Sequence, residues 1–89
     1  MKDKETKLDE LVAVIRRLRA PDGCDWDRVQ SMESMRKHLL EEAYEACDAI
    51  DRRDMVNLKE ELGDVLFQVI FLSEIAREEG HFDLEAVAG

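Results

Sequence analysis

The sequence predicts an all-α protein built as an antiparallel helical bundle, and three observations carry that reading. Apolar residues recur every three or four positions in three long segments. No segment alternates with period two for long enough to form a strand, and the 89 residues hold only four Gly and one Pro with which to build sheet turns. With 39% charged residues beside 45% hydrophobic ones, the composition fits ordered amphipathic helices better than acidic disorder.

In the first segment, Leu8, Leu11, Val12, Ile15 and Leu18 share one helix face, which places a helix over residues 7–20, closed by Pro21, Asp22 and Gly23. Residues 21–30 hold the single Trp, a Gly and three of the acids without a clean period, and read as an ordered loop of the kind that carries binding residues. Ser31 is the expected N-cap of a second helix, with Glu33 in its first turn. Met32, Met35, Leu39, Ala43, Ala46 and Ile50 gather on one side of this helix. Ser34, His38, Glu41, Glu45, Asp48 and Arg52 gather on the other, with Glu42 at the edge between them.

Asp51, Arg52, Arg53 and Asp54 form a polar connection, and Asp54 is placed to cap a third helix running to Gly80. Over residues 62–75 nearly every direction around that helix is apolar, as expected of a helix buried in a bundle. Asn57, Glu61, Asp64 and Gln68 nevertheless line up as one polar stripe. Gly63, in the same turn, costs about 1 kcal/mol of helix propensity and suggests the close approach of another backbone or a ligand. After Gly80, Asp83 caps a last short helical segment.

A chain this short buries a modest share of its surface, so one domain is expected, with spare apolar area on the third helix. That spare surface predicts a homodimer, or a higher homo-oligomer, in which two copies complete a four-helix-bundle-like core. The formal charge of 13 − 22 = −9 argues against a nucleic-acid backbone or an anionic membrane as partner. Residues 1–10 lack an apolar signal core, and the longest uncharged stretch, residues 65–73, is far short of the ~20 residues of a membrane span. Cys24 and Cys47 fall in no metal-ligand or disulfide spacing; with the methionines they read as packing residues in a reducing, cytoplasmic setting.

The chemistry concentrates in carboxylates. Glu42 with Glu45, and Glu61 with Asp64, are each three residues apart and present two acids to one point. Taken alone, Glu41, Glu42 and Glu45 fit a solvated face. Glu61 and Asp64 tip the balance, because acids inside a largely apolar helix need a partner. Packed antiparallel, the two helices can bring four carboxylates together, and a divalent cation is what keeps such a cluster ionised. Oxygen ligands without His or Cys suit Mg²⁺, with Mn²⁺ as a substitute.

These residues resemble the MazG-type nucleoside triphosphate pyrophosphohydrolases of the all-α NTP pyrophosphohydrolase superfamily. The family signature EExxE followed by ExxD appears as Glu41-Glu42-Ala-Tyr-Glu45 and Glu61-Leu-Gly-Asp64. LRAPDGCDWD, residues 18–27, is similar to the family's LRdPegGCPWD, and EELGDVLFQVIF, residues 60–71, extends the match, which spans about residues 8–87. Asp25 stands where the family usually has Pro, Leu72 stands where many members have His, and the usual basic segment after the last helix is missing. The chain is then a single MazG-like domain over residues 1–89, either compact or truncated after the third long helix.

The resemblance implies Mg²⁺-dependent hydrolysis of an NTP or dNTP to the monophosphate and pyrophosphate, a removal of non-standard or surplus nucleotides. It assigns Glu42, Glu45, Glu61 and Asp64 as catalytic metal ligands, with Glu41 as a further catalytic acid, either a ligand or a contact to metal-bound water. Trp26 offers a flat face for a nucleobase and reads equally well as a plug over the helix ends. Lys37 and Arg53 are candidate phosphate contacts, as are Arg36 and Arg52, although exposed bases are commonly solvated. Gln68 and Asn57 can orient a ligand or pair across helices, and His38 reads as a solvent-facing neighbour of Glu42. The alternative is a catalytically silent metal-binding or helical assembly module that kept the carboxylates and lost its grip on phosphate.

Overall fold

Short polar side chains start the helices by accepting backbone N–H groups that the first turn leaves unpaired. In a computed structural model describing residues 6–89, Thr6 caps α1 (Lys7–Leu18) through a reciprocal bond with Asp9, and Ser31 caps α3 (Met32–Asp51) through one with Ser34. Asp54 caps α4 (Met55–Glu78) by accepting the Asn57 N–H, and Asp83 caps α5 (Leu84–Ala88) through Ala86. The described residues contain no strand, and the chain is all-helical. Residues 1–5, part of the segment read for a signal core, lie outside the described residues.

Residues 21–30 are not wholly loop: α2 (Asp25–Val29) forms a single short helix within them. Five residues are too few to display a period, and such a helix is unstable alone, so its place depends on tertiary bonds. Gly23 makes the preceding turn possible. Its N–H donates to the Ala20 carbonyl and the next N–H, of Cys24, donates to the Leu18 carbonyl, folding the chain onto the end of α1. A Cβ on Gly23 would lie 2.3 Å from the Leu18 carbonyl oxygen and 2.6 Å from that of Arg17.

Helices α3 and α4 form an antiparallel hairpin through the tight connection Arg52–Arg53–Asp54. Asp54 N–H bonds to the Ala49 carbonyl and Arg53 N–H to that of Ile50, with Arg53 held in the left-handed region at φ 55°. Gly80, at φ 81°, ends α4 by the same pattern.

The buried line of α3 runs through Met32, Met35, Leu39, Glu42, Ala46 and Ala49 at spacings of three and four. Ala43 and Ile50, expected on the core side, are exposed, because each sits one residue, about 100°, beyond this seam. Glu42 is therefore in the seam itself rather than at its edge.

The main core is Ile15, Met35, Ile70, Phe71 and Ile75, joined at its border by Leu11, Val12, Met32, Phe67, Leu72 and Leu84. It covers only the C-terminal half of α4, against which α1 and α5 pack. The expected burial of α4 on all sides thus holds for that half alone. Met55, Val56, Leu62 and Leu66 in the other half are exposed, as are Leu40 and Tyr44 on α3. Cys24 and Cys47 are free and exposed and do not serve as packing residues.

The two helix-adjacent glycines make opposite predictions. Gly23→Ala must displace backbone and is expected to destabilise the fold by more than about 2 kcal/mol. A Cβ at Gly63 would meet nothing within 4 Å among the described residues, so no backbone among them approaches it, contrary to one of the two reasons suggested for it. Gly63→Ala is expected to stabilise the metal-free chain by up to about 1 kcal/mol. Chemical denaturation of both variants checks the opposite signs.

Candidate metal centre

The hairpin brings the two acidic motifs face to face. One carboxylate oxygen from each of Glu42, Glu45 and Glu61 lies within 4.8 Å of the other two. Asp64, one turn beyond Glu61 and exposed, stands close enough to raise the pKa of both Glu42 and Glu61 by repulsion. It is not among the three whose oxygens converge. Glu41 is also exposed and turns toward His38, whose Nδ1 lies 3.6 Å from its Oε1.

Glu42 is the most constrained member. Its Oε2 is buried without a hydrogen-bond partner among the described residues, a costly state for a carboxylate in an apolar seam. Burial raises its pKa above the ordinary glutamate value, Asp64, Glu45 and Glu41 raise it further, and His38 offsets part of the rise. Glu61 is raised by burial first, then by Glu45, Asp64 and Glu42. A buried oxygen with no donor, inside a set of hard oxygens whose charges oppose one another, fits a divalent cation.

Trp26 sits on α2 beside His38, which lies one turn before Glu42 on α3. Its ring meets His38 edge-on at 5.8 Å and Phe71 at 6.2 Å, while 48% of the residue stays exposed. Both sequence readings of Trp26 therefore have a counterpart: an edge anchored on the core, and a surface open to a ligand. His38 is one turn before Glu42, so α3 carries, in order, the neighbour of Trp26 and then the carboxylates.

The remaining candidates lie around this line. Lys37 is exposed one turn before Glu41, and Arg53 is exposed at the hairpin tip, eight residues beyond Glu45. Arg36 is exposed beside Lys37, and Arg52 is paired with Asp48 and Asp54. Gln68 is buried, and its Oε1, like the Glu42 oxygen, lacks a partner. Asn57 is partly buried near the start of α4.

Sequence reasoning missed the charged contacts that hold α1 to α4. Glu74 is 1% exposed and accepts from Arg16 Nε and Nη2 at 2.8 and 2.9 Å and from Arg77 Nε at 3.0 Å. Arg19 forms a two-pronged pair with Glu78 at 2.8 Å. The available signal was two arginines three apart on one helix and two glutamates four apart on another, a spacing that puts each pair on one face.

The fold is thus an α-helical hairpin with three carboxylates across its seam that could hold a divalent cation, and a short aromatic-bearing helix beside it. Residues 30–89 match the MazG nucleotide pyrophosphohydrolase domain. The chain is 49% identical over 87 residues to the nucleoside triphosphate pyrophosphohydrolase/pyrophosphatase MazG of Thermotoga maritima, an alignment covering 98% of this chain and 34% of that protein. It is 45% identical over 82 residues to the nucleoside triphosphate pyrophosphohydrolase of Escherichia coli K12, covering 91% and 31% respectively. The chain belongs to the MazG family and spans about a third of the length of these two relatives.

Proposed function

We propose that this chain is a Mg²⁺-dependent nucleotide pyrophosphohydrolase domain, converting an NTP or dNTP and water to the monophosphate and pyrophosphate. The carrying observation is that one carboxylate oxygen from each of Glu42, Glu45 and Glu61 lies within 4.8 Å of the other two, with a buried oxygen of Glu42 left without a hydrogen-bond partner among the described residues. Family membership and the names of the relatives support the same reading. Glu42, Glu45, Glu61 and Asp64 would hold the cation, with Mn²⁺ able to replace Mg²⁺. When bound, it neutralises phosphate charge and makes water a better nucleophile toward the α-phosphorus.

The chain's own residues supply position and proton transfer. Glu41, exposed and near His38, would contact the cation-bound water and accept a proton from it. With the triphosphate at the carboxylates, the base extends along α3 toward Trp26, whose exposed surface offers a stacking platform. Lys37 and Arg53 flank the phosphates as cationic contacts, and Gln68 orients groups at the seam. The role is removal of surplus or non-standard nucleotides in the cytoplasm, within a single domain. No described helix is long and apolar enough to cross a membrane.

Pyrophosphate release from a panel of canonical and modified nucleotides is the test. Mg²⁺-dependent release, lost with a chelator and in Glu45→Gln, is the expected result. A folded, cation-binding chain that releases none from any nucleotide would instead be the silent assembly module.

The exposed apolar pairs Leu40 with Tyr44 and Leu62 with Leu66, each four residues apart, support a homodimer in which two hairpins complete a four-helix core. Sedimentation at micromolar concentration is expected to give a dimer, or a higher even oligomer built from it. Leu66→Glu is expected to shift it to monomer; a monomeric parent protein would refute the arrangement.

A further inference from the structure

We infer that Arg19 is a positioning residue for nucleotide binding: it sets Trp26 at the mouth of the acidic site by locking α2 to α1 and α4. The inference rests on the proposed role of Trp26 as base platform and adds the group that determines its place. The side chain of Arg19 is 8% exposed, and its guanidinium spans two elements at once. Nε and Nη2 hold both oxygens of Glu78 on α4, each at 2.8 Å. Nη1 donates to the carbonyls of Asp27 at 2.6 Å and Gln30 at 3.0 Å, at the C-terminal end of α2. The guanidinium also lies 5.3 Å from the centre of the Phe71 ring, the same ring that Trp26 meets edge-on.

A tie between α1 and α4 needs only the Glu78 fork. The two carbonyl bonds go to the element that carries Trp26, which is otherwise held by the Cys24 N–H bond to the Leu18 carbonyl and by the ring contacts of Trp26 with His38 and Phe71. That element is five residues long, and its N-cap Cys24 makes no side-chain capping bond. From Gln30 the path reaches Trp26 itself, because Gln30 Nε2 donates to the Trp26 carbonyl at 3.0 Å. Four of the five N–H groups of Arg19 are thus used, along different edges of one planar guanidinium. A lysine ammonium, a point charge without the planar fork, cannot reproduce them.

Trp26 is the single tryptophan, so its fluorescence reports this position without interference. In Arg19→Lys without nucleotide or metal, acrylamide quenching of Trp26 is expected to rise about twofold, and with Mg²⁺ the KM for nucleoside triphosphate to rise about tenfold at nearly constant kcat. Affinity for inorganic tripolyphosphate, which has no base, is expected to stay unchanged. A merely structural role would lower both affinities together.

Gln30→Glu, which keeps an oxygen for the Ser34 hydroxyl and removes the Nε2 donor to the Trp26 carbonyl, should move the same readouts in the same direction and serves if Arg19→Lys does not fold. A folded variant with unchanged quenching, or with equal losses for base-bearing and baseless ligands, overturns the inference. Wild-type Trp26 emission that ignores nucleotide, together with an unchanged KM in Trp26→Ala, overturns the platform and the inference with it. A responsive wild type with an unaltered Arg19→Lys overturns the role of Arg19 alone.

Discussion

Glu61→Gln is expected to stabilise the metal-free chain and to reduce pyrophosphate release by on the order of a hundredfold or more. The two effects have one cause. Glu61 faces Glu45, Asp64 and Glu42, and burial together with these acids holds its carboxyl above the ordinary glutamate range. An amide of the same shape removes the repulsion and, with it, one of the three anionic groups that converge on the site. Cation binding favours the folded state only while the ligands can be ionised together, so a metal-induced rise in melting temperature should shrink in the variant.

The pH dependence follows in sign. For Glu42 and Glu61, whose folded pKa values are raised, the stability associated with protonation is complete below the ordinary glutamate value and is lost as pH rises through the folded values. In a chelator, the advantage of Glu61→Gln over the parent should therefore grow from about pH 4 toward neutrality. Melting curves across that range, with and without Mg²⁺, measure all of this. A variant less stable than its parent without metal, and equally stabilised by Mg²⁺, would show that Glu61 belongs to packing rather than to a cation site.

What sequence could reveal depended on whether a residue acts along its own helix or across to another. The caps Ser31, Asp54 and Asp83 were legible because a cap is a local device, a short side chain bonded to an N–H three residues ahead. Glu42, Glu45 and Glu61 were legible for a similar reason, since spacing of three or four maps directly onto a helix face. Asp64 shows the limit: its spacing from Glu61 places it on the same side, but which oxygens converge is set by the helix crossing. Ala43 and Ile50 were misplaced for the same reason, because the seam follows the partner helix rather than the mean direction of apolar residues. Helix α2 was invisible as a period and is held by Arg19, whose partners lie on other elements. Glu74 was hidden by its setting, a single acid in an apolar run, whose partner on α1 is 58 residues away.

That buried acid carries the largest stability effect expected outside the main core. Arg16→Ala is expected to cost about 3 kcal/mol, and Glu74→Gln about half as much, because the two halves of the pair differ in what they leave behind. Glu74 is 1% exposed, whereas the Arg16 side chain is 52% exposed. Without Arg16, a desolvated carboxylate keeps only Arg77 at 3.0 Å; without the Glu74 charge, Arg16 turns into solvent. Arg16, then Arg77, holds the Glu74 pKa below the ordinary glutamate value despite burial. Its stabilisation is therefore complete above that value and is lost as pH falls through the folded one, and in Arg16→Ala the acid loss should begin at higher pH. Thermal melts against pH measure the shift, a fall of about 12–24 °C for the arginine variant near neutrality. The decisive comparison is the double variant Arg16→Ala/Glu74→Gln. It should be more stable than Arg16→Ala alone, since a neutral amide in that site no longer needs the missing cation. If the double variant is the less stable of the two, the Glu74 carboxylate is held by its packing and by Arg77, and the bond to Arg16 is dispensable.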